Sequence, residues 1–371
     1  MGAVSFPPPE IRENVPLAPL TTLGIGGPAR FFVEARQERA VAGALVFAEE
    51  RQAPVFVLGG GSNILVADEG FPGVAIRMAI AGITESADPR SPALARWTAG
   101  AGEGWDGLVR RAVECGLAGI ECLSGIPGTV GGTPIQNVGA YGQQVAGVIT
   151  AVRVWDREAR CALELDNTGC RFSYRQSVFN TTARDRYVVL SVSYSLTRGG
   201  ASALEYADLR KHFESCDHAP SLAEVRAAVL AIRARKGMVI EPGDPDCRSA
   251  GSFFKNPVVA RSDCEAMAQA AGGPVPSYPV AGDAGGVKVP AAWLIEQAGF
   301  HKGYGRGPAA ISGKHALALV NRGGASAADV IALMREIQAG VRDRFGVELV
   351  PEPQFIGFQQ RPAADSADSA D

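Results

Sequence analysis

The spacing of apolar and polar residues predicts a β-α-β unit near the start of the chain. A short strand is predicted over residues 31–35, followed by an amphipathic helix over 38–52 with apolar residues three or four positions apart. The uninterrupted apolar run at 55–58 is typical of a strand buried on both faces. This run ends in a glycine-rich turn at 59–63, and residues 64–66 form the next predicted strand. The turn therefore lies between two predicted strands.

The same patterning continues along the chain and gives residues 240–345 strand and helix signals of their own. Low-complexity sequence around residues 86–95 is typical of a surface loop, and residues 361–371 are polar, repetitive and expected to be disordered. The other predicted elements are strands at 73–77, at 96–99 and within 148–196, and helices at 105–115, 222–236, 291–298 and 327–345.

The length of 371 residues exceeds what one ordinary hydrophobic core supports, so two or three domains are expected. Glycine and proline are plentiful, at 45 and 24 residues, which favours tight loops whose backbone approaches another group closely.

The net charge of −3 is accounted for by Asp365, Asp368 and Asp371, which leaves the rest of the chain neutral. A neutral body has no electrostatic footprint for nucleic acid or an anionic membrane. Neither the seven cysteines nor the four histidines show metal-ligand spacing, so reduced thiols and no metal site are expected. No stretch reaches the roughly 18 apolar residues of a membrane span, and the N-terminus lacks the apolar region of a secretory signal. We therefore expect a soluble cytoplasmic protein.

Several common motif patterns do not apply. Residues 102–107 match GxGxxG, but no second strand ending in an acidic residue follows, so we interpret them as a tight structural turn. Gly313-Lys314 resembles the end of a P-loop, but Pro308 replaces the first glycine and His315 the required hydroxyl residue. GxSxG, the nucleophile turn of α/β-hydrolases, is absent.

Two glycine-rich loops are the strongest functional signals. The turn LGGGSN, residues 58–63, offers consecutive backbone amides that can cradle a diphosphate. The loop at residues 124–142 has neither helical nor strand periodicity, and loops of this length in compact domains are usually functional. Its Gln136 and Asn137 supply donors and acceptors suited to a flat heteroaromatic ring. Either loop alone could be an ordinary glycine-rich turn, but the two together favour a cofactor site.

The chain resembles UDP-N-acetylenolpyruvoylglucosamine reductases in six blocks that occur in order from about residue 20 to 358. The blocks are TTLGIGGPARF, VLGGGSNILV, GLAGIECLSGIPGTVGGTPIQNVGAYG, RFSYRQSVF, GSFFKNPVV and PEPQFIGF. They cover nearly all of the chain except its two ends. Tyr206, within LEYADL, suggests the type I form, which keeps a tyrosine-bearing loop over the substrate.

The resemblance implies an α+β fold with a two-part FAD-binding domain of the vanillyl-alcohol-oxidase/PCMH type and a C-terminal α+β substrate-binding domain. The first FAD-binding subdomain is expected at residues 1–85, joined by the segment 347–360, and the second at 86–238. The substrate-binding domain is expected at 239–346, followed by the tail at 361–371.

The resemblance also implies the reaction. NADPH reduces FAD and leaves, and UDP-N-acetylglucosamine enolpyruvate takes its place. Flavin N5 then delivers hydride to the terminal carbon of the enolpyruvyl group, and protonation of the adjacent carbon gives UDP-N-acetylmuramate for peptidoglycan synthesis. This chemistry requires a cation or donor at the substrate carboxylate and a proton donor opposite the flavin.

Three residues match the family positions that meet these requirements. Arg175 would hold the carboxylate, because its planar fork keeps its charge at any working pH. Glu352 would polarise the carboxylate in its protonated form or tune the proton donor. Ser252 would donate the proton, with help from Lys255, Glu352 or water left open. Taken alone, each has an ordinary alternative, namely a surface arginine, a solvated turn glutamate and a loop serine that caps backbone groups.

Further positions match those that bind FAD or substrate in the family. The expected FAD contacts are Gly59, Gly60, Gly61, Ser62, Asn63, Gly125, Ile126, Pro127, Gly128, Thr129, Gly131, Gly132, Gln136, Asn137, Gly139, Ala140 and Tyr141. The expected contacts to the UDP portion are Tyr206, Arg233, Lys236 and Asn256, with His315 where some relatives have glutamine.

Residues 1–211 contain both loops and no histidine, so a histidyl-linked flavin is excluded there and non-covalent FAD is expected. Two alternatives stay open at this point, an FAD oxidase of the vanillyl-alcohol-oxidase type and a catalytically silent nucleotide-binding regulator. A monomer that takes the UDP sugar and NADPH, and binds neither nucleic acid nor membrane, is the expected form.

Overall fold

The structure, a computed structural model, describes residues 9–202, 204–241, 243–280, 283–305 and 307–359. The tail expected at 361–371 lies outside the described residues. Two compact units are present, each assembled from separate stretches of chain. Of the described residues, unit 1 takes those within 9–15, 29–61 and 72–239, and unit 2 takes those within 16–28, 62–71 and 240–359. The expected domain boundaries at 85/86, 238/239 and 346/347 stay predictions.

The elements are numbered in chain order. The helices are α1 (Glu38–Glu50), α2 (Trp105–Glu114), α3 (Ala207–His212), α4 (Leu222–Arg235), α5 (Asp263–Ala271), α6 (Ala291–Gln297) and α7 (Ala327–Phe345). The strands are β1 (Arg12–Pro16), β2 (Pro28–Ala35), β3 (Val55–Leu58), β4 (Ile64–Val66), β5 (Phe71–Met78), β6 (Ile83–Ala87), β7 (Leu94–Gly100), β8 (Leu117–Ala118), β9 (Gly139–Ala140), β10 (Gln143–Gln144), β11 (Ile149–Asp156), β12 (Cys161–Asp166), β13 (Tyr187–Arg198), β14 (Ser249–Ser252), β15 (Val258–Ala260), β16 (Tyr278–Val280), β17 (Asp283–Lys288), β18 (Ala309–Ile311), β19 (Ala318–Asn321) and β20 (Gln354–Ile356).

The helices and strands predicted from periodicity are present, with their ends shifted by at most three residues. The surface loop predicted around residues 86–95 is wrong at both ends, because Ser86 and Ala87 finish β6 and Leu94 begins β7. These two strands pair antiparallel, with Ser86 opposite Arg96. The polar, low-complexity composition of one strand concealed a hairpin, since an exposed edge strand does not need apolar residues on both faces.

Within the described residues, unit 1 contains two larger sheets and the two-stranded antiparallel pair of β9 and β10. One has the strand order β1-β2-β5-β3, and its β3 and β5 run parallel. The other has the order β12-β11-β13-β7-β6 and is antiparallel throughout, with β8 added to β13. One hydrophobic core joins residues from both sheets with helices α1 and α2, including Val41, Ile76, Trp97, Trp105 and Tyr194. Burial of so many large side chains in one cluster holds the intervening loops on a rigid base.

The core of unit 2 shows why this unit needs three stretches of chain. Leu23 and Ile25 come from the first stretch and Leu65 from the second, and all three pack with Phe253 and Phe254 from the third. The unit contains the antiparallel sheets β14-β19-β18 and β15-β17-β16, and a parallel pair of β4 and β20.

Helix α7 illustrates how local sequence sets an element in unit 2. Ser326 forms a capping box with Asp329, and Gly346 ends the helix with a φ of +68°. The carboxylate of Asp68 also accepts hydrogen bonds from the first two amides of the helix, those of Ala327 (2.7 Å) and Ala328 (3.0 Å). A negative charge is favourable at a helix N-terminus, so Asp68 ties the second stretch of chain to α7.

All seven cysteines are free thiols, as the sequence predicts. None of the helices in the described ranges combines the length and apolar character required to cross a bilayer. Over the same ranges, no three His, Cys, Asp or Glu side chains are grouped as metal ligands.

Candidate functional site

Within unit 1, glycines of the two glycine-rich loops touch each other. An ideal Cβ on Gly60 would lie 2.5 Å from the Cα of Gly128, and one on Gly59 would lie 2.9 Å from Oγ1 of Thr129. Because the obstacle at Gly60 is backbone, only glycine fits there without moving a loop. Oγ1 of Thr129 is buried and has no hydrogen-bond partner in the described part of the chain. Buried hydroxyls normally have a partner, so a polar ligand atom fits beside Thr129, as the phosphates of FAD require.

The turn at residues 102–107 supports the second loop. The amide of Val130 donates to the carbonyl of Glu103 (2.9 Å), and the amide of Trp105 donates to that of Gly128 (3.1 Å). Gly102 packs against the backbone of Ala79, where a Cβ would come within 2.6 Å. This GxGxxG match is therefore a tight structural turn, as predicted, and it positions the loop at residues 124–142.

An ion pair holds the start of the same loop. Arg226 of α4 donates from Nη1 and Nη2 to the carboxylate of Asp106 (2.6 and 2.8 Å), which also accepts from the amide of Gly125 (2.5 Å). Burial raises the pKa of Asp106, but the hydrogen bonds from Arg226 and the Gly125 amide outweigh it, and the net pKa lies below the usual range. Sequence reasoning missed this pair, although Asp106 lies inside the turn that the motif search singled out.

The side chain of Asn137 is hydrogen-bonded to other residues of unit 1. Its Nδ2 donates to the carbonyl of Ser173 (2.9 Å) and to Oε1 of Gln144 (3.0 Å), and its Oδ1 accepts from the amide of Ala146 (3.1 Å). Both Nδ2 hydrogens are therefore used inside unit 1, and the residue is only 2% exposed. The contact of Asn137 with FAD stays a prediction.

Arg175 lies in a tight turn next to this loop. The amide of Ser173 donates to the carbonyl of Gln176 (3.0 Å), and the amide of Gln176 donates back (3.2 Å). Arg175 has a φ of +57°, which is uncommon for a residue other than glycine. The carbonyl of Arg175 accepts from Nδ2 of Asn180 (3.1 Å). The backbone beneath the guanidinium is therefore fixed by several contacts.

Three of the residues predicted to bind the UDP portion lie close to Tyr141 in unit 1. The rings of Tyr141 and Tyr206 meet edge to face, with centroids 5.3 Å apart. Arg233 is 7% exposed and donates from Nη2 to the carbonyl of Met238 (2.9 Å), whereas its buried Nε has no hydrogen-bond partner among the described residues. Burial lowers the pKa of Arg233, although the nearby Tyr141 acts to raise it. The guanidinium stays charged, because arginine is not deprotonated in proteins. Lys236 contacts Asp208 (3.3 Å). The cluster thus holds a buried, charged donor suited to an anion.

Unit 2 brings Ser252 and Glu352 onto neighbouring extended segments. Ser252 is the last residue of β14, and the amide of Glu352 donates to the carbonyl of the next residue, Phe253 (2.9 Å). The carbonyl of Glu352 accepts from Nδ2 of Asn63 (3.4 Å), and the amide of Gln354 donates to the Asn63 carbonyl (3.0 Å). The end of the first glycine-rich turn is therefore tied to the segment that carries Glu352.

Asn256 and His315 also belong to unit 2. Oδ1 of Asn256 accepts from the amide of Ala291, the first residue of α6 (2.9 Å), so this oxygen caps a helix. The amide of His315 donates to Oγ of Ser312 (3.2 Å), which in turn donates to the buried carboxylate of Asp246 (2.9 Å). Substrate contacts at both positions stay predictions.

The comparisons with known proteins agree with this arrangement. Residues 29–161 match a family model described as FAD binding domain, and residues 243–356 match one described as UDP-N-acetylenolpyruvoylglucosamine reductase, C-terminal domain.

Individual relatives agree over nearly the whole chain. The UDP-N-acetylenolpyruvoylglucosamine reductase of Thermobifida fusca is 48% identical over 93% of this chain and 98% of its own length. The reductase of Mycobacterium avium is 46% identical over 96% of this chain and 98% of its own length. Among solved structures, the UDP-N-acetylenolpyruvylglucosamine reductase of Thermus caldophilus matches with a TM-score of 0.62 and 28% identity, over 94% of this chain and all of that one.

Proposed function

The chain belongs to the UDP-N-acetylenolpyruvoylglucosamine reductase family, and from this premise we propose the roles of its residues in the reaction. The enzyme reduces UDP-N-acetylglucosamine enolpyruvate to UDP-N-acetylmuramate for peptidoglycan synthesis, with NADPH as co-substrate and FAD as cofactor. The oxidase alternative is not supported by these relatives. When bound, FAD would supply the redox chemistry, namely hydride transfer between NADPH and the enolpyruvyl group.

The observation that carries the cofactor assignment is the contact between the two glycine-rich loops beside the partnerless Oγ1 of Thr129. Both loops lie inside the segment that matches the FAD-binding model. In this proposal, the amides of Gly59, Gly60 and Gly61 and the Thr129 hydroxyl would hold the diphosphate, and the loop at 124–142 would bind the rest of FAD. The remaining positions named from the resemblance complete the site.

Arg175 is proposed to bind the substrate carboxylate and stabilise the negative charge that develops on it after hydride addition. A guanidinium presents two parallel donors to a carboxylate and stays charged throughout the working pH range. The fixed backbone of Arg175 supports this role, because the hydrogen bond from Asn180 and those that close the turn hold its position.

Ser252 is proposed to donate the proton to the carbon next to the site of hydride addition. A serine hydroxyl is a weak acid, so this step depends on a very basic acceptor such as an enolate carbon. Glu352 is proposed to polarise the carboxylate or to tune Ser252, which is supported by the backbone hydrogen bond that joins their two segments.

The UDP portion is proposed to bind at Tyr206, Arg233 and Lys236, with Asn256 and His315 completing the nucleotide contacts. Buried Arg233 supplies the charge that a diphosphate needs in an otherwise neutral body. We further propose that the protein acts as a cytoplasmic monomer that binds neither nucleic acid nor membrane, as its free cysteines and charge distribution suggest.

The experiment that tests the proposal is an anaerobic absorbance titration of the purified protein. We expect a flavin spectrum that NADPH bleaches and that UDP-N-acetylglucosamine enolpyruvate restores in a one-to-one ratio, with little peroxide when oxygen is admitted. A colourless protein that does not take up FAD would refute the cofactor site. Rapid peroxide production without the sugar would instead identify an oxidase.

A further inference from the structure

We propose that Asn137 and Ser177 form a clamp that fixes the turn bearing Arg175 to the flavin loop, so that both are positioning residues for the carboxylate-binding arginine. The proposal rests on the role proposed above for Arg175. The clamp consists of two hydrogen bonds, one donated by the loop and one donated by the turn.

The first hydrogen bond of the clamp runs from the loop to the turn. Nδ2 of Asn137 donates to the carbonyl of Ser173 (2.9 Å), the residue at which the turn begins. The second runs from the turn to the loop, because Oγ of Ser177 donates to the carbonyl of Ile135 (2.6 Å). The two loop residues flank Gln136, and the two turn residues flank the stretch 174–176. The stretch with Arg175 is therefore held in register with Gln136.

The clamp is buried and its polar groups are satisfied. Asn137 and Ser177 are 2% and 1% exposed. Apart from Ser173, the side chain of Asn137 bonds Gln144 and the amide of Ala146, and Oγ of Ser177 also accepts from the amide of Phe179 (3.1 Å). Buried networks in which each group has its partner rigidify a structure, whereas removal of one member leaves a neighbour unpaired.

The clamp explains how an arginine at a positive φ is kept in place. The turn from Ser173 to Gln176 closes with two backbone hydrogen bonds, but these fix the turn only internally. The side chain of Asn180 donates to the Arg175 carbonyl and accepts from the Ser177 amide (2.9 Å). Asn180 therefore links the backbone of Arg175 to Ser177. The hydrogen bonds to the Ile135 carbonyl and from the Asn137 side chain join this assembly to the loop. We expect their loss to loosen the position of the turn relative to the loop, while the internal hydrogen bonds of the turn remain.

The test compares Ser177→Ala and Asn137→Ala with Asn167→Ala as a matched control. Asn167 donates from Nδ2 to the carbonyls of Ala146 and Ile149 (both 2.8 Å), so its loss removes side-chain hydrogen bonds in the same unit without touching the turn. Reduced enzyme is mixed anaerobically with UDP-N-acetylglucosamine enolpyruvate, and flavin reoxidation is followed by absorbance. Thermal unfolding and the Kd for FAD are measured for each variant.

We expect reoxidation to slow roughly 10- to 100-fold in Ser177→Ala and Asn137→Ala, the range for a positioned group displaced by about 1 Å. Asn167→Ala should stay within about twofold of the unmodified protein. The decisive measurement repeats Ser177→Ala in an Arg175→Ala background, where a residue that acts through Arg175 should have no further effect on the rate. Thermal unfolding shows which variants are folded, and Asn137→Ala provides the comparison if Ser177→Ala is not.

The outcomes separate the clamp from the proposed function. If Arg175→Ala reoxidises at the normal rate, both the role of Arg175 and the clamp are refuted. If Arg175→Ala is slow but the clamp variants are unaffected, or if their effects multiply with that of Arg175→Ala, the clamp alone is refuted. The clamp is supported if Ser177→Ala is slow by itself and the double variant is no slower than Arg175→Ala alone.

Discussion

Replacement of Gly60 by alanine tests the contact between the two glycine-rich loops. An ideal Cβ at this position lies 2.5 Å from Cα and 2.9 Å from the carbonyl carbon of Gly128. Carbon atoms in good contact are about 3.5–4.0 Å apart, so one loop must move by about 1 Å. Both obstructing atoms belong to the backbone, and no side-chain rotation can relieve the clash.

The free-energy cost of Gly60→Ala follows from the cost of overpacking, which is typically about 1–3 kcal/mol. Without cofactor the loops can separate and relieve part of the strain, whereas FAD requires them at their native spacing. If the whole cost falls on binding, the Kd for FAD rises about 5- to 140-fold, at roughly 1.4 kcal/mol per factor of ten. Any part that the loops cannot relieve appears instead as a lower free energy of unfolding of the apoprotein.

The assay is a titration of apoprotein with FAD, followed by quenching of flavin fluorescence, alongside denaturant unfolding of the apoprotein. Gly107→Ala is the control, because Gly107 lies exposed within α2 and a Cβ there meets no atom within 4 Å. We expect this control to bind FAD normally and to gain about 0.5–1 kcal/mol, since alanine is preferred to glycine within a helix. A Gly60→Ala protein with normal FAD affinity and normal stability would show that the loops do not need this close approach.

Three further predictions concern the chemistry and the supports of the site. Acid precipitation should release the flavin into the supernatant, and colour retained in the pellet would contradict non-covalent binding. Ser252→Ala should still be reduced by NADPH but be reoxidised by the UDP sugar about 10²- to 10⁴-fold more slowly, as measured by stopped flow, with Ser262→Ala unaffected; normal turnover would exclude Ser252 as the proton donor. The lowered pKa of Asp106 means that its pairing stabilises the fold above the unfolded-state value of about 3.9 and that this contribution is lost as pH falls through the folded-state pKa. Asp106→Asn should therefore reduce the free energy of unfolding at pH 7 and lose this difference in acid, and an equal difference at both pH values would contradict the assignment.

Local sequence was sufficient where an element is defined by its own residues. Helix α7 begins and ends where it was predicted, because Ser326 and Gly346 mark its two ends chemically. The glycine-rich loops could also be identified, since runs of glycine without periodicity have few structural explanations. What such patterns cannot reveal is the partner of each segment, because periodicity states that a residue faces a core but not which core.

The supports of the site were missed for the same reason. Asp106 and Arg226 are 120 positions apart, and nothing in either neighbourhood indicates that they pair. Asn137 was assigned to the flavin because amides suit heteroaromatic rings, yet its donors reach Ser173, which follows 36 positions later. An amide has the same appearance in a sequence whether it meets a ligand or a distant carbonyl, so only the folded chain separates these uses.

The parallel pairing of β4 with β20 has a consequence for biosynthesis. Gln354 lies 290 positions after its partner Ile64, so at roughly 5–20 residues per second β4 waits about 15–60 s for the strand it pairs with. Throughout that interval Leu65, which is fully buried in the finished protein, belongs to a nascent chain whose matching strand has not been made. Unit 2 therefore cannot complete its folding until β20 has been synthesised, and a product truncated just before β20 leaves an unpaired strand open to aggregation.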